Sequence, residues 1–398
     1  MKEFPEKGLT KSDVRRALQS FQDKIPIVNG AMPGMLDVEY HLAGMPELLD
    51  IALDAFPRFM ETNASNTIEM EEDIVSMIGK LWNHSSPVGN ITTGGTESNF
   101  LALRGAVKQS GRRGKVVVPS TIHPSVFKGC DWLGLEPVVV PVEENLIVDS
   151  RLIEEAITEE TIALFATCGV DPYGTIDPIE DISKIAKEHD LYLHVDAAFG
   201  GLYCPWLVKL GFDMPKFDFQ LEGVTSISTD PHKNGYGIYP TGCILYRDQD
   251  TKKAVSFDYG STPTRHEGQY ALTPTILGTR PSAGIAVSWA IFSFLGVEGF
   301  MNLTRKCEDL LRAFLDDLEL IPGIEPAAHT KTNLLALMSR TIELGPIKKD
   351  LRKRGWRFLS LDGRPKTFED CFVLVFVPSN AHNFPILAKD LREIVTKK

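Results

Sequence analysis

Between residues 91 and 247, short apolar runs recur at close intervals, and the stretches between several of them have helical spacing. The runs are "KVVVP" (115–119), "PVVVPV" (137–142), "TIALFAT" (161–167), "LYLHVD" (191–196), "VTSIS" (224–228) and "GCILYR" (242–247). Between them lie stretches such as "TESNFLALRGAVKQ" and "PIEDISKIAKEH". Nearly continuous apolar strands alternating with helices predict an α/β unit whose mostly parallel sheet is covered on both faces. Ligands in such sheets bind outside the C-terminal ends of the strands.

The flanks read differently. Residues 1–60 pattern as helical and extended pieces, with "PELLDIALDAFPRFMET" interrupted at Pro57. "EEDIVSMIGKLWN" predicts an amphipathic helix presenting Ile74, Met77, Ile78 and Leu81 on one face. A Thr/Pro/Gly-rich stretch (260–284) leads into a long helical region that ends near residue 320. Beyond Pro322 and Gly323, "TNLLALMS", "IKKDLRKRG", "WRFLSL", "CFVLVFVP" and "FPILAKDLREIVTK" predict a small α+β unit. The expected organisation is thus an N-terminal segment (1–60), a large domain (61–320) and a small C-terminal domain (321–398).

Composition narrows the function. A net charge of −11 argues against nucleic acid or an anionic membrane as the main partner. No apolar run in the sequence approaches the roughly 20 residues that span a bilayer, and the N-terminus lacks the apolar centre of a secretory signal. The six cysteines never form a CxxC pair, which suits reduced thiols in a cytoplasmic protein. The nine histidines are dispersed with no HExxH, so no metal site is expected.

Three pieces fall at strand ends. "TTGGTESNF" (92–100) places a glycine pair before a helix, where backbone amides and the helix dipole suit a phosphate; a tight capped loop is the plainer reading. "LYLHVDAAFGG" (191–201) delivers Asp196 to a strand edge beside small residues, either as a turn cap or as a carboxylate held ionised by a cation. "STDPHKNGYG" (228–237) puts Lys233 at a strand mouth beside Asp230 and His232. A lysine is ordinarily a solvated charge, but desolvated within an apolar fold it becomes an amine nucleophile. Together these pieces meet the demands of pyridoxal 5′-phosphate: helix-end amides for its phosphate, an acid for its ring nitrogen and a lysine for its aldehyde.

The motifs "GGTESN", "HVDAAFGG", "DPHK" and "TILGTR" (275–280) resemble those of the group II pyridoxal-phosphate decarboxylases, most closely the archaeal L-tyrosine/L-aspartate decarboxylases. The resemblance runs from about residue 58 to the C-terminus and is strongest over 91–300. It implies an aspartate-aminotransferase-type fold with a seven-stranded sheet and a small C-terminal domain. It further implies Lys233 as the Schiff-base lysine, Asp196 as partner of the pyridine nitrogen, and His123, in "STIHPSVFKG", stacked on the ring. Ala198 would lie under the other ring face, and Gly95, Thr96 and His232, with Asp230 beside them, would hold the cofactor. Gly278 and Thr279 resemble a segment that reaches across from a second subunit, which implies a homodimer with shared sites. Asn234 departs from the family, whose members often carry a hydrophobic residue after the lysine.

The implied reaction converts L-tyrosine to tyramine or L-aspartate to β-alanine with release of CO2. Arg280 is a candidate cation for the substrate, with Arg58 and Arg265 as further candidates, while Tyr259, His266 and Tyr270 are candidates for donating the proton to Cα. "GTRPSAG" and "HKNGYG" also resemble the sphingosine-1-phosphate lyases, which makes an aldehyde-lyase the first rival reading. A non-catalytic pyridoxal-phosphate-binding dimer is the second.

Overall fold

The computed structural model describes residues 12, 15–16, 47, 50–53, 65–258, 272–278, 280, 282–356 and 371–397. Its centre is a seven-stranded sheet of β1 (Val88–Thr92), β2 (Lys115–Pro119), β3 (Glu136–Val140), β4 (Thr161–Thr167), β5 (Tyr192–Asp196), β6 (Val224–Thr229) and β7 (Gly242–Tyr246). The spatial order is β1-β7-β6-β5-β4-β2-β3. Only β7 runs against the rest, pairing antiparallel with both β1 and β6. The helices around the sheet are α1 (Ser65–Leu81), α2 (Gly95–Ser110), α3 (Ser125–Leu133), α4 (Ser150–Glu155), α5 (Ile179–Glu188), α6 (Cys204–Lys209) and α7 (Gln249–Val255).

The continuous apolar runs follow from two buried faces. Val117, Leu164, Ala166, Leu193, Val195 and Leu245 belong to one apolar cluster, which includes Ile74 and Ile78 of α1 and Ile179 and Ile182 of α5. Their neighbours Val116, Val118, Phe165, Tyr192 and Tyr246 belong to a second cluster with Leu101, Leu103 and Val126 of α2 and α3. Successive strand residues point to opposite faces, so a sheet covered twice needs apolar side chains at both parities.

β1 escapes the pattern because "VGNIT" contains Gly89 and Asn90, yet all five of its residues are buried. The face expected for α1 also needs correction. Ile74 and Ile78 are buried as expected, but Met77 is exposed and Leu81 only half-buried; Val75 and Trp82 complete the inward side. The helix has rotated its contact stripe toward Trp82, whose indole Nε1 donates to Gly201 O at 2.8 Å.

A single segment, α8 (Ala283–Leu318), leads to the C-terminal elements, and its helical geometry is broken at Gly296 (φ 53°, ψ −166°). Ile285, Val287 and Ile291 join the main core, whereas Leu311, Phe314 and Leu318 join a separate C-terminal cluster. By length and composition α8 is apolar enough to cross a bilayer, which the sequence reading did not anticipate; half of that stretch is buried inside the protein. Beyond it lie an antiparallel sheet of Glu325–Pro326, Leu334–Met338 and Phe372–Val375, and helices α9 (Leu344–Lys353) and α10 (Asn383–Val395). The expected strand "WRFLSL" lies outside the described residues after Trp356.

Candidate active site

β5 and β6 end side by side, Asp196 opposite Ser228. One residue beyond β6 the chain turns: Lys233 N donates to Asp230 O at 2.8 Å, and Gly237 N to Pro231 O at 2.8 Å. That turn brings Lys233 Nζ to 2.9 Å from Asp230 Oδ2. Burial works against the lysine's charge, but Asp230, with weaker help from Asp196 and Asp171, outweighs it and holds the ammonium above the ordinary lysine range. His232 contacts the same carboxylate oxygen at 3.5 Å and is fixed by Thr241, whose carbonyl accepts from Nδ1 at 2.6 Å. Burial lowers the His232 pKa.

Asp196 is almost fully buried at the sheet edge. Its Oδ2 accepts from Asn99 Nδ2 at 2.8 Å and its Oδ1 from Ala198 N at 3.0 Å. Burial opposes its charge, yet neighbouring His123, the Asn99 amide, His194 and Lys233 together keep its pKa below the usual carboxylate value. Asn99 reaches the strand because α2 lies close on β5: a Cβ at Gly105 would stand 2.9 Å from the Tyr192 ring.

These groups surround one cavity of about 220 Å3. Gly95, Thr96, His123, Asp196, Ala198, Asp230, His232 and Lys233 all line it, so eight of the candidates drawn from distant parts of the sequence meet at one place. The remaining candidates do not join them. Gly278 is exposed and outside the lining, while Thr279, Tyr259, His266 and Tyr270, like Arg58 and Arg265, lie outside the described residues. Arg280 is buried elsewhere: its guanidinium grips Glu71 through two bonds of 2.9 Å and donates to Ile91 O. Its geometry is that of a structural clamp between the start of α8, α1 and β1, and its charge is already neutralised by Glu71.

The lining fits pyridoxal phosphate. Thr121 Oγ1, Thr167 Oγ1 and Asp230 Oδ1 are buried there with no hydrogen-bond partner among the described residues, a set of polar atoms that a polar guest would satisfy. A Cβ at Gly95 would come within 3.2 Å of Asp230 Oδ2 and 3.3 Å of Ala198 Cβ, so the bare backbone keeps that corner open. No side chain caps the start of α2, which leaves its first amides to another acceptor.

Several polar residues in and around the site were not singled out by the sequence reading. Asn99 and Ser125 hydrogen-bond each other at 2.9 Å, and Ser125 Oγ lies 2.8 Å from His123 Nδ1. His194 contacts Asn99 Oδ1 at 3.0 Å, and burial pushes its pKa down to about 4. Strand alternation could have found it, because His194 and Asp196 share a face. Glu97 accepts from Thr93 N and from Ile276 N, each at 2.7 Å, joining the turn before α2 to the segment that precedes Arg280.

Residues 55–325 match the pyridoxal-dependent decarboxylase conserved domain, and the chain belongs to that family. It is 30% identical over 405 residues to the "Probable L-aspartate decarboxylase" of Pyrococcus abyssi, covering 99% of this chain and 100% of that one. It is 35% identical to the "Probable L-tyrosine/L-aspartate decarboxylase" of Methanothermobacter thermautotrophicus over 75% of this chain and 82% of that one. Among solved structures it is similar to the sphingosine-1-phosphate lyase Bpss2021 of Burkholderia pseudomallei, with a TM-score of 0.89 and 27% identity over 100% of this chain and 92% of that one. The protein is a pyridoxal-phosphate-dependent amino acid decarboxylase with the fold expected from its sequence.

Proposed function

We propose that the chain removes the α-carboxylate of L-aspartate, L-tyrosine or both, giving β-alanine or tyramine, as a cytoplasmic homodimer with shared sites. The observation that carries the site assignment is the convergence of Lys233, Asp196 and His123 on one cavity beside the uncapped start of α2. When bound, pyridoxal phosphate supplies an aldehyde that takes up an amine and a protonated ring that accepts the electron pair of the breaking bond. Lys233 offers the amine that anchors it. Asp196, held ionised, would keep a proton at the ring nitrogen. Gly95, Thr96 and His232 would hold the phosphate, and His123 and Ala198 would line the space for the ring. The relatives' names support both substrates without dividing them.

The test is product analysis after incubating the holoprotein separately with aspartate, tyrosine and glutamate. β-Alanine or tyramine with stoichiometric CO2 is expected, and neither product would overturn the proposal. Lys233→Ala should lower CO2 release by at least about a thousandfold and abolish borohydride-stable attachment of the cofactor to the chain; retained turnover would remove the lysine's role. The shape shared with the lyase favours an aldehyde-lyase as second reading. That reading requires an aldehyde from a phosphorylated amino alcohol and no CO2.

A further inference from the structure

A chain of buried polar groups runs beneath the cavity, and its donors and acceptors can be assigned from one end. Asp196, as a carboxylate, only accepts, so the Asn99 atom 2.8 Å away is the amide nitrogen. The other Asn99 N–H then donates to Ser125 Oγ at 2.9 Å, and Asn99 Oδ1 accepts from His194 Nε2 at 3.0 Å. His194 is neutral, so with its proton on Nε2 its Nδ1 accepts from Ser226 Oγ at 2.8 Å. Tyr192 OH donates in turn to Ser226 Oγ at 2.9 Å. At the far end the backbone N–H of Ser125, which can only donate, lies 3.2 Å from His123 Nδ1; with Nδ1 accepting from it, the Ser125 hydroxyl, 2.8 Å away, donates to the same nitrogen. A nitrogen that receives two donors carries no proton. His123 therefore bears its proton on Nε2.

We propose that Asn99 and Ser125 are positioning residues that fix two groups at once: the ionised Asp196, and His123 in the tautomer that donates from Nε2. Asn99 spends both its N–H groups and its carbonyl on this task, so neither neighbour can turn without breaking a buried bond. Phe165 packs against the His194 ring at 5.0 Å, and His194 Nε2 lies nearer to Asn99 Oδ1, at 3.0 Å, than to its other polar neighbour, Ser228 Oγ, at 3.2 Å. His123 is thereby set as a neutral hydrogen-bond donor on the cavity wall. The consequence for turnover rests on the decarboxylase reading above, whereas the tautomer does not.

Nitrogen-15 NMR of histidine-labelled protein without cofactor reads the tautomer directly, with His123→Gln identifying the resonance. Expected at pH 7.5 is a neutral ring with a pyrrole-type Nε2 and a pyridine-type Nδ1. An Nδ1-protonated or doubly protonated ring would overturn the proposal. Ser125→Ala should release the ring to a mixture of tautomers and lower kcat of the holoenzyme about ten- to hundredfold with little change in KM; Ser125→Thr should restore both. A variant with the parent's spectrum and kcat would also overturn it. If the parent itself releases no CO2 from any amino acid, the decarboxylase reading fails while the nitrogen spectrum still judges the tautomer.

Discussion

Lys233 carries its charge against its own burial, because Asp230 lies 2.9 Å from the ammonium. Removing that carboxylate leaves burial as the strongest influence, and burial alone favours the neutral amine. Asp230→Asn should therefore make Lys233 react with an amine-directed reagent at a lower pH than in the parent, read by peptide mass spectrometry of protein without cofactor. An unchanged reactivity curve would mean that Asp230 does not hold the cation. Lys233, Asp196 and His123 were legible in the sequence because each stands in a motif. Asn99 stands in one too, but nothing in "GGTESN" says which face of α2 meets β5; that depends on Gly105, two turns further on, letting the helix approach Tyr192. The pairing of Arg280 with Glu71 was not legible, because an arginine near a glycine turn reads the same whether it faces substrate or a carboxylate of the fold.

At the scale of elements, Asn234 joins two parts of the fold. Asn234 donates to Phe199 O at 2.8 Å and exchanges hydrogen bonds with Asn333, whose Nδ2 reaches Asn234 Oδ1 at 2.9 Å and Phe376 O at 3.1 Å. The lysine turn is thus tied to the C-terminal sheet by a buried reciprocal pair of amides. A hydrophobic side chain at 234 would leave Asn333 without that partner. Asn234→Ala and Asn333→Ala should each cost about 1–3 kcal/mol of stability, and the double variant measurably less than their sum. Urea unfolding of the four proteins checks this, and strict additivity would deny the coupling. Pairing of this kind lies outside sequence patterning, since the two asparagines are 99 residues apart. The strand runs were readable because doubly buried strands are apolar throughout, whereas β1 was missed because its burial comes from its neighbours and not from its composition.

For the whole molecule, two buried groups set opposing pH dependences. Asp177, buried and accepting from Thr167 N at 2.7 Å, is pushed up to about 7 by desolvation from its ordinary 3.8. The folded state then binds the extra proton, so the stability this provides is present below about pH 4 and is lost as pH rises to about 7. His194, pushed down to about 4 from 6.5, acts the other way: its contribution is present above pH 6.5 and is lost as pH falls to about 4. The two slopes offset between those limits. Asp177→Asn should remove one of them, so the variant's stability relative to the parent should climb steadily from pH 4.5 to 7, measured as the urea midpoint. A flat difference would place the Asp177 titration elsewhere.

The break at Gly296 divides α8 into two helical pieces. Beyond the break, Phe300 and Leu303 still pack in the main core, and only from Leu311 onward do its buried residues join the C-terminal cluster. A direct buried link between the C-terminal sheet and the turn that carries Lys233 is the Asn333–Asn234 pair.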